Sequence, residues 1–152
     1  HSFPTRRSSD LLENKVKFLG NLSPIELRKI TEKADVGLSI EENKGLSYYY
    51  SLPNKISDYI QARVPVVVSK FPEMQKIVEK YNVGEFISSH EPQHLAEKVK
   101  IVLEKERSSY LPQLETAAKD LCWENEEPKL LELFDRVAPQ HRQFKFTKSS
   151  LS

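Results

Sequence analysis

The stretch Ser51-Leu-Pro-Asn-Lys-Ile-Ser-Asp-Tyr59 sets a cation and a carboxylate three residues apart, just behind a proline. Proline suits a helix opening, because its φ is already helical and its missing N–H would have no partner there. On such a helix, Lys55 and Asp58 stand about one turn apart and project to one side. The helix start would offer unpaired N–H groups and a partial positive charge, which suit a diphosphate. Lys55 would add a cationic donor, and the Asp58 carboxylate could accept two hydrogen bonds from adjacent ribose hydroxyls. The same spacing is that of an ordinary surface Lys–Asp pair, worth a few tenths of a kcal/mol, and spacing alone favours that plainer role.

Other reactive side chains carry less. His90, His94 and His141 share no metal-ligand spacing and are expected in solvent. Cys122 is the only cysteine, so neither an internal disulfide nor a cysteine zinc cluster is available. Beside Trp123 it reads as small core filling. Tyr48, Tyr49 and Tyr50 could stack on a base or sugar, although two of the three are expected against a sheet. Glu73 is expected to cap its own helix. No metal site and no cofactor are expected.

The elements that must position these groups read as alternating strands and helices. Val16–Leu19 is expected as a short strand ending at Gly20. Ser23, Pro24 and Glu26 form the signature of a capping box, with Leu22 and Leu27 at the positions of a hydrophobic staple. Leu27, Ile30 and Ala34 give one apolar stripe at helical spacing. Strands follow at 36–40, 64–68 and 84–87; Val64-Pro-Val-Val-Val68 is a continuous apolar run, as in a strand buried on both faces. Helices are expected from Pro53 to about Ala62, over "FPEMQKIVEKYNVG" with Gly84 beyond its end, over 92–106 with Leu95, Val99, Val102 and Leu103 on one face, over about 110–121, and over 124–137. Residues 41–50 read as a polar loop and 139–152 as a polar tail. This alternation predicts an α/β fold, a parallel sheet covered by helices. In such sheets ligands bind beyond the carboxyl ends of the strands, which is where the loop after Ile40 and the helix from Pro53 meet.

Bulk properties narrow the classes. The chain has 152 residues, suited to one domain, and a formal charge of +1 gives no reason to expect nucleic acid. No apolar run approaches the roughly 18 residues of a membrane span. The opening "HSFPTRRSSDL" has no apolar centre of a secretory signal, and Pro4 with Ser8-Ser9 opposes an amphipathic transit helix. Read back as codons, residues 1–11 look like one frame of a common short-read sequencing adapter. They are expected to be artefactual or disordered, with the protein's own sequence beginning near Leu12, one partial domain over 12–138, and the tail after it.

"LPNKISDYIQARVPVVVSKFPEMQKIV" resembles the donor-binding segment of the retaining GT-B glycosyltransferases of family four, where a "P-x-K-x-x-E/D-Y" helix precedes "A-x-x-P-V-V-x-S". "VKFLGNLSPIELRKITEKADVGLSI" is similar to the preceding block, and Leu121-Cys-Trp-Glu124 with "KLLELF" to the domain's ending. The resemblance spans about residues 15–137, in the same order. It implies that Asp58 takes the place of the acid on the nucleotide ribose. Lys55 and Asn54 then fall in the donor phosphate and sugar region, and Ser51 in the loop leading in. One position departs: many members carry a Glu seven residues before the second acid, where this chain has Tyr50, with Glu41 and Glu42 nearby but off register. No catalytic residue is assigned.

The resemblance implies a fragment of an enzyme that moves a sugar from a nucleotide-sugar donor to a glycan or lipid-linked acceptor. The acceptor would be held by an N-terminal domain that this chain lacks. The setting implied is cytoplasmic, at the inner face of the membrane when the acceptor is lipid-linked. The resemblance also implies an incomplete doubly wound parallel sheet, Rossmann-like, with helices on both faces, in which strand 16–19 would be the third of six in the order 3-2-1-4-5-6. Strands one and two would be missing, so strand 36–40 would keep a bare edge or take 16–19 as a substitute. The isolated fragment is expected to be inactive. A noncatalytic partner-binding module and a GT-B sugar-nucleotide epimerase are the alternative readings.

Overall fold

The computed structural model of the protein describes residues 15–137. The adapter-like stretch, His141 and the tail over 139–152 lie outside the described residues. In chain order the elements are α1 (Pro24–Thr31), β1 (Gly37–Ser39), α2 (Leu46–Tyr49), α3 (Asn54–Gln61), β2 (Val66–Ser69) and α4 (Pro72–Tyr81). They continue with β3 (Gly84–Ile87), α5 (Pro92–Glu104), α6 (Arg107–Asp120) and α7 (Trp123–Val137). The three strands form one parallel sheet in the order β1-β2-β3.

The apolar run over 64–68 does what its composition predicts. Every residue of β2 is buried, and so is Val64 before it. Burying one such valine stabilises the fold by about 1.5–3 kcal/mol. Register and alternation sort the strand residues into two faces. Gly37, Val66 and Gly84 stand side by side on one face, and Leu38, Val67 and Glu85 on the other. The Tyr59 ring of α3 lies over Gly37 so closely that a Cβ there would be 2.4 Å from it. Glu85 instead receives Lys98 of α5 at 2.9 Å. Leu38 stays 42% exposed, because α5 packs on β2 and β3.

Helix α3 buries Ile56 and Ile60. Helix α6 packs on α3 and α4 through Tyr110, Leu114, Ala117 and Ala118, a stripe at i, i+4, i+7 and i+8. Polar ties fix the same contacts: Gln61 Nε2 donates to the Ala118 carbonyl at 3.0 Å, and the Tyr81 hydroxyl donates to Asp120 at 3.0 Å. Arg107, at the start of α6, donates to four carbonyls. Its guanidinium reaches Glu32 and Ala34 just past α1, and Ala62 and Arg63 just past α3. Those are the orphan carbonyls of two helix ends, where a cation is favoured.

The capping box of α1 forms as predicted, with the Glu26 amide donating to Ser23 Oγ at 3.3 Å and the Ser23 amide to Glu26 at 3.0 Å. Hydrogen bonds from the Ser23 hydroxyl and amide hold the Glu26 carboxyl below its ordinary pKa. Its contribution is therefore present above the ordinary carboxylate pKa and fades as pH falls through the lowered value.

Several expectations are corrected. Val16–Leu19 is not a strand: it does not pair with the outer edge of β1, and Phe18 is 94% exposed. Helix α1 buries no residue, and Leu27 and Ile30 of its apolar stripe stay about half exposed. In α5 only Val102 is fully buried, with Leu95 and Val99 half-buried, and Leu103 is exposed. Helix α4 does end before Gly84 as expected, on Asn82 in the left-handed region, φ 53°. Glu73 pairs with Lys76 at 2.6 Å and does not cap its helix. The polar loop contains the short helix α2.

Gly84 is the tightest point of the sheet, since a Cβ there would sit 1.8 Å from the Val66 carbonyl oxygen. Gly84→Ala should destabilise the domain by about 3 kcal/mol, the upper part of the overpacking range. A lower urea midpoint at unchanged m-value would show this; an unmoved midpoint would mean that β2 and β3 are not so closely apposed.

Candidate functional site

Polar groups from four segments meet beyond the carboxyl ends of the strands. The centre is Glu41, just after β1. Ser69, the last residue of β2, holds its backbone on both sides: the Glu41 amide donates to Ser69 Oγ at 2.8 Å, and that hydroxyl donates to the Glu41 carbonyl at 2.7 Å. The His90 ring meets the same carbonyl, Nε2 to oxygen, at 3.0 Å. His90 sits in the loop after β3, which is tied again where the Ser88 amide donates to His94 Nε2 at 3.3 Å. From α3, Lys55 reaches the Glu41 carboxylate at 3.0 Å.

Helix α3 starts at this mouth without a side-chain cap, because Pro53 stands at the capping position. Pro53 supplies no side chain to cap it, so the positive end of the helix dipole stands at this mouth. Beneath it, Ser39 is fully buried, and its hydroxyl makes no hydrogen bond in the protein. Ser39 lies two residues beyond Gly37, or about 6–7 Å along the strand. That distance is roughly four helix residues, which takes the level of Tyr59 back to the first turn of α3. A buried hydroxyl without a partner costs about 1–3 kcal/mol, so one at a helix start needs a reason.

Each residue singled out in the sequence has a defined place. Asn54 is the first residue of α3 and exposed; Ser51 is half-buried in the segment leading in. Lys55 and Asp58 do not pair with each other. Lys55 engages Glu41, while Asp58 faces a cleft of about 340 Å³ between α1 and α3. Pro24, Leu27, Arg28 and Thr31 line the cleft from α1, and Asp58 and Gln61 from α3. Tyr49 packs on Phe71 with ring centroids 5.5 Å apart, and exposed Tyr50 stands edge-on to Tyr49 at 5.0 Å. Cys122 is half-buried and donates to the Lys119 carbonyl at 3.1 Å. Sequence reasoning missed Ser69 and His90 as partners of Glu41, and Arg107 as the clamp on α1 and α3. Ser69 ends an apolar strand run and so falls at a site end, which was a usable signal. Arg107 gave none, since its partners are carbonyls distant in sequence.

Among the described residues no group of three or more His, Cys, Asp or Glu stands close enough to hold a metal ion. No described helix is long and apolar enough to cross a membrane.

A parallel α/β domain with charged and polar groups gathered beyond its strand ends is the class that this geometry defines. Residues 3–122 match the family described as Glucosyltransferase 3-like, C-terminal domain, and the chain belongs to that family. It is thus a glycosyltransferase C-terminal region. The match begins inside the adapter-like stretch and ends before α7. Neither the curated proteins nor the solved structures compared with the chain gave a match.

Ser69 is the pivot of this mouth. Ser69→Ala removes two hydrogen bonds from a part-buried backbone and should cost about 1–3 kcal/mol. Hydrogen exchange at the Glu41 amide should accelerate at least about tenfold relative to Val67, which lies inside the ladder. Equal protection in both proteins would show that Ser69 does not hold this segment.

Proposed function

We propose that this domain is the donor-binding part of a retaining glycosyltransferase of the GT-B type, family four. Such an enzyme breaks the bond between the sugar's anomeric carbon and the diphosphate of a nucleotide sugar. The acceptor hydroxyl takes the sugar and loses its proton, and the nucleoside diphosphate leaves with the bonding electrons. A glycan or lipid-linked acceptor is held by the N-terminal half of the enzyme, and residues 12–138 act as one donor domain. Family membership supports the transferase, and no observation favours the partner-binding module or the epimerase.

The observation that carries the donor reading is the open start of α3 above the unpartnered Ser39 hydroxyl, with a lysine beside it. The first-turn N–H groups and the Lys55 ammonium receive the diphosphate. Ser51 and Asn54 line the approach. Asp58, on the next turn, accepts hydrogen bonds from the ribose in the α1–α3 cleft. Negative charge grows on the diphosphate as the sugar departs. A fixed helix dipole and a cation stabilise that charge without reorganising during the reaction.

Asp58→Asn keeps the shape but removes the charge and one acceptor. Charged hydrogen bonds contribute about 1.5–3 kcal/mol, so nucleotide-sugar binding should weaken roughly ten- to a hundredfold. Lys55→Ala should weaken the same ligand and flatten the dependence of its binding on salt, because a phosphate-facing cation is lost. Calorimetric titration of both variants tests the assignment, alongside thermal unfolding without ligand. Unchanged affinity in both variants would refute it, and a large loss of ligand-free stability would assign the residues a structural role.

A further inference from the structure

The Glu41–Lys55 ion pair occupies the place where the donor reading sets a diphosphate. We infer that Glu41 is a specificity-determining residue: it makes the site favour a sugar-bearing diphosphate over the bare nucleoside diphosphate. This inference rests on the donor reading above.

Glu41 is firmly held at its backbone. Its amide and carbonyl are both bound by Ser69 Oγ, and the carbonyl also by His90. The carboxylate can rotate about its own side-chain bonds, but the backbone cannot carry it away from the mouth. Its side chain is 25% exposed, and one oxygen lies 3.0 Å from Lys55 Nζ. Glu42, the next residue, is turned to Lys44 at 3.2 Å and does not share this position. A diphosphate drawn to Lys55 therefore arrives beside a fixed negative charge.

That charge acts differently on the two ligands. At neutral pH the terminal phosphate of a bare nucleoside diphosphate carries about one more negative charge than the same phosphate esterified to a sugar. Close to a part-buried carboxylate this extra charge is repelled with little screening. The sugar ester brings less charge, and it brings hydroxyl donors that a carboxylate accepts in charge-assisted hydrogen bonds. Lys55 attracts both ligands, and the bare diphosphate the more strongly for its extra charge; Glu41, 3.0 Å from it, offsets that preference. After transfer, the product left in the site is the ligand that Glu41 repels, which favours its release.

The test is calorimetry on the full chain at fixed salt. The probes are uridine, guanosine, adenosine and thymidine diphosphates, and their glucose esters. For the base that binds, Glu41→Gln should tighten the bare diphosphate roughly three- to tenfold and weaken the sugar ester by a similar factor, each tenfold step corresponding to about 1.4 kcal/mol. Glu42→Gln should leave the ratio unmoved. A second measurement needs no sugar: Glu41→Gln should raise the affinity for the bare diphosphate relative to its β-methyl ester roughly three- to tenfold. An affinity ratio of bare diphosphate to methyl ester that Glu41→Gln leaves unmoved overturns the inference, as does a Glu41→Gln variant in which the bare diphosphate and the sugar ester change alike. Failure of the wild-type chain to bind any of these probes overturns the donor reading, and this inference with it.

Discussion

The whole domain depends on Val66–Ser69 being the middle strand. Its backbone is paired on both edges, and its side chains are buried on both faces. Backbone pairing leaves no polar group unsatisfied in the apolar interior, which is the condition for burying a strand completely. The neighbours then have little freedom. Gly84 must be a glycine because the Val66 carbonyl occupies the space of its Cβ, and Gly37 because the Tyr59 ring does. Helix α3 is thereby set against β1, and α6 is set against α3 and α4.

The same strand organises the chemistry. It ends at Ser69, whose hydroxyl takes the place of the next ladder bonds and keeps Glu41 beside the sheet. Lys55 comes to Glu41 because α3, returning antiparallel to the strands, begins where β1 ends. Arg107 holds the opposite end of this arrangement by collecting the terminal carbonyls of α1 and α3. It keeps α1 beside α3 although α1 buries no side chain, and so it maintains the cleft that Asp58 faces. Core, helix clamp and mouth are consequences of one sheet register.

Much of this was legible in the sequence where the cause is local. Pro53 before Lys55, the capping box at Ser23, and the valine run of β2 each follow from one residue's φ, one side-chain bond or one run of apolar residues. The position of the mouth followed from the parallel topology. What escaped was non-local. Lys55 and Asp58 were read as a pair from helical spacing, yet Glu41, fourteen residues away from Lys55, captures the lysine. Val16–Leu19 has strand composition, but composition alone does not pair it with the edge that β1 leaves open among the described residues. The half-exposed stripe of α1 shows the same limit, because an amphipathic pattern states which face is apolar and not whether anything covers it.

The central claim is that the start of α3, with the ends of the three strands, forms the place where a nucleotide sugar's diphosphate sits. Amide chemical-shift mapping during titration of the isotopically labelled chain with a nucleoside diphosphate glucose tests this most directly. The account predicts that the largest changes fall at Asn54, Lys55 and Ile56, with smaller ones at Ser39–Glu41, Ser69–Lys70 and Ser88–His90. Changes confined to α7 or the far ends of the strands, or saturable binding that leaves the first turn of α3 unmoved, would contradict it.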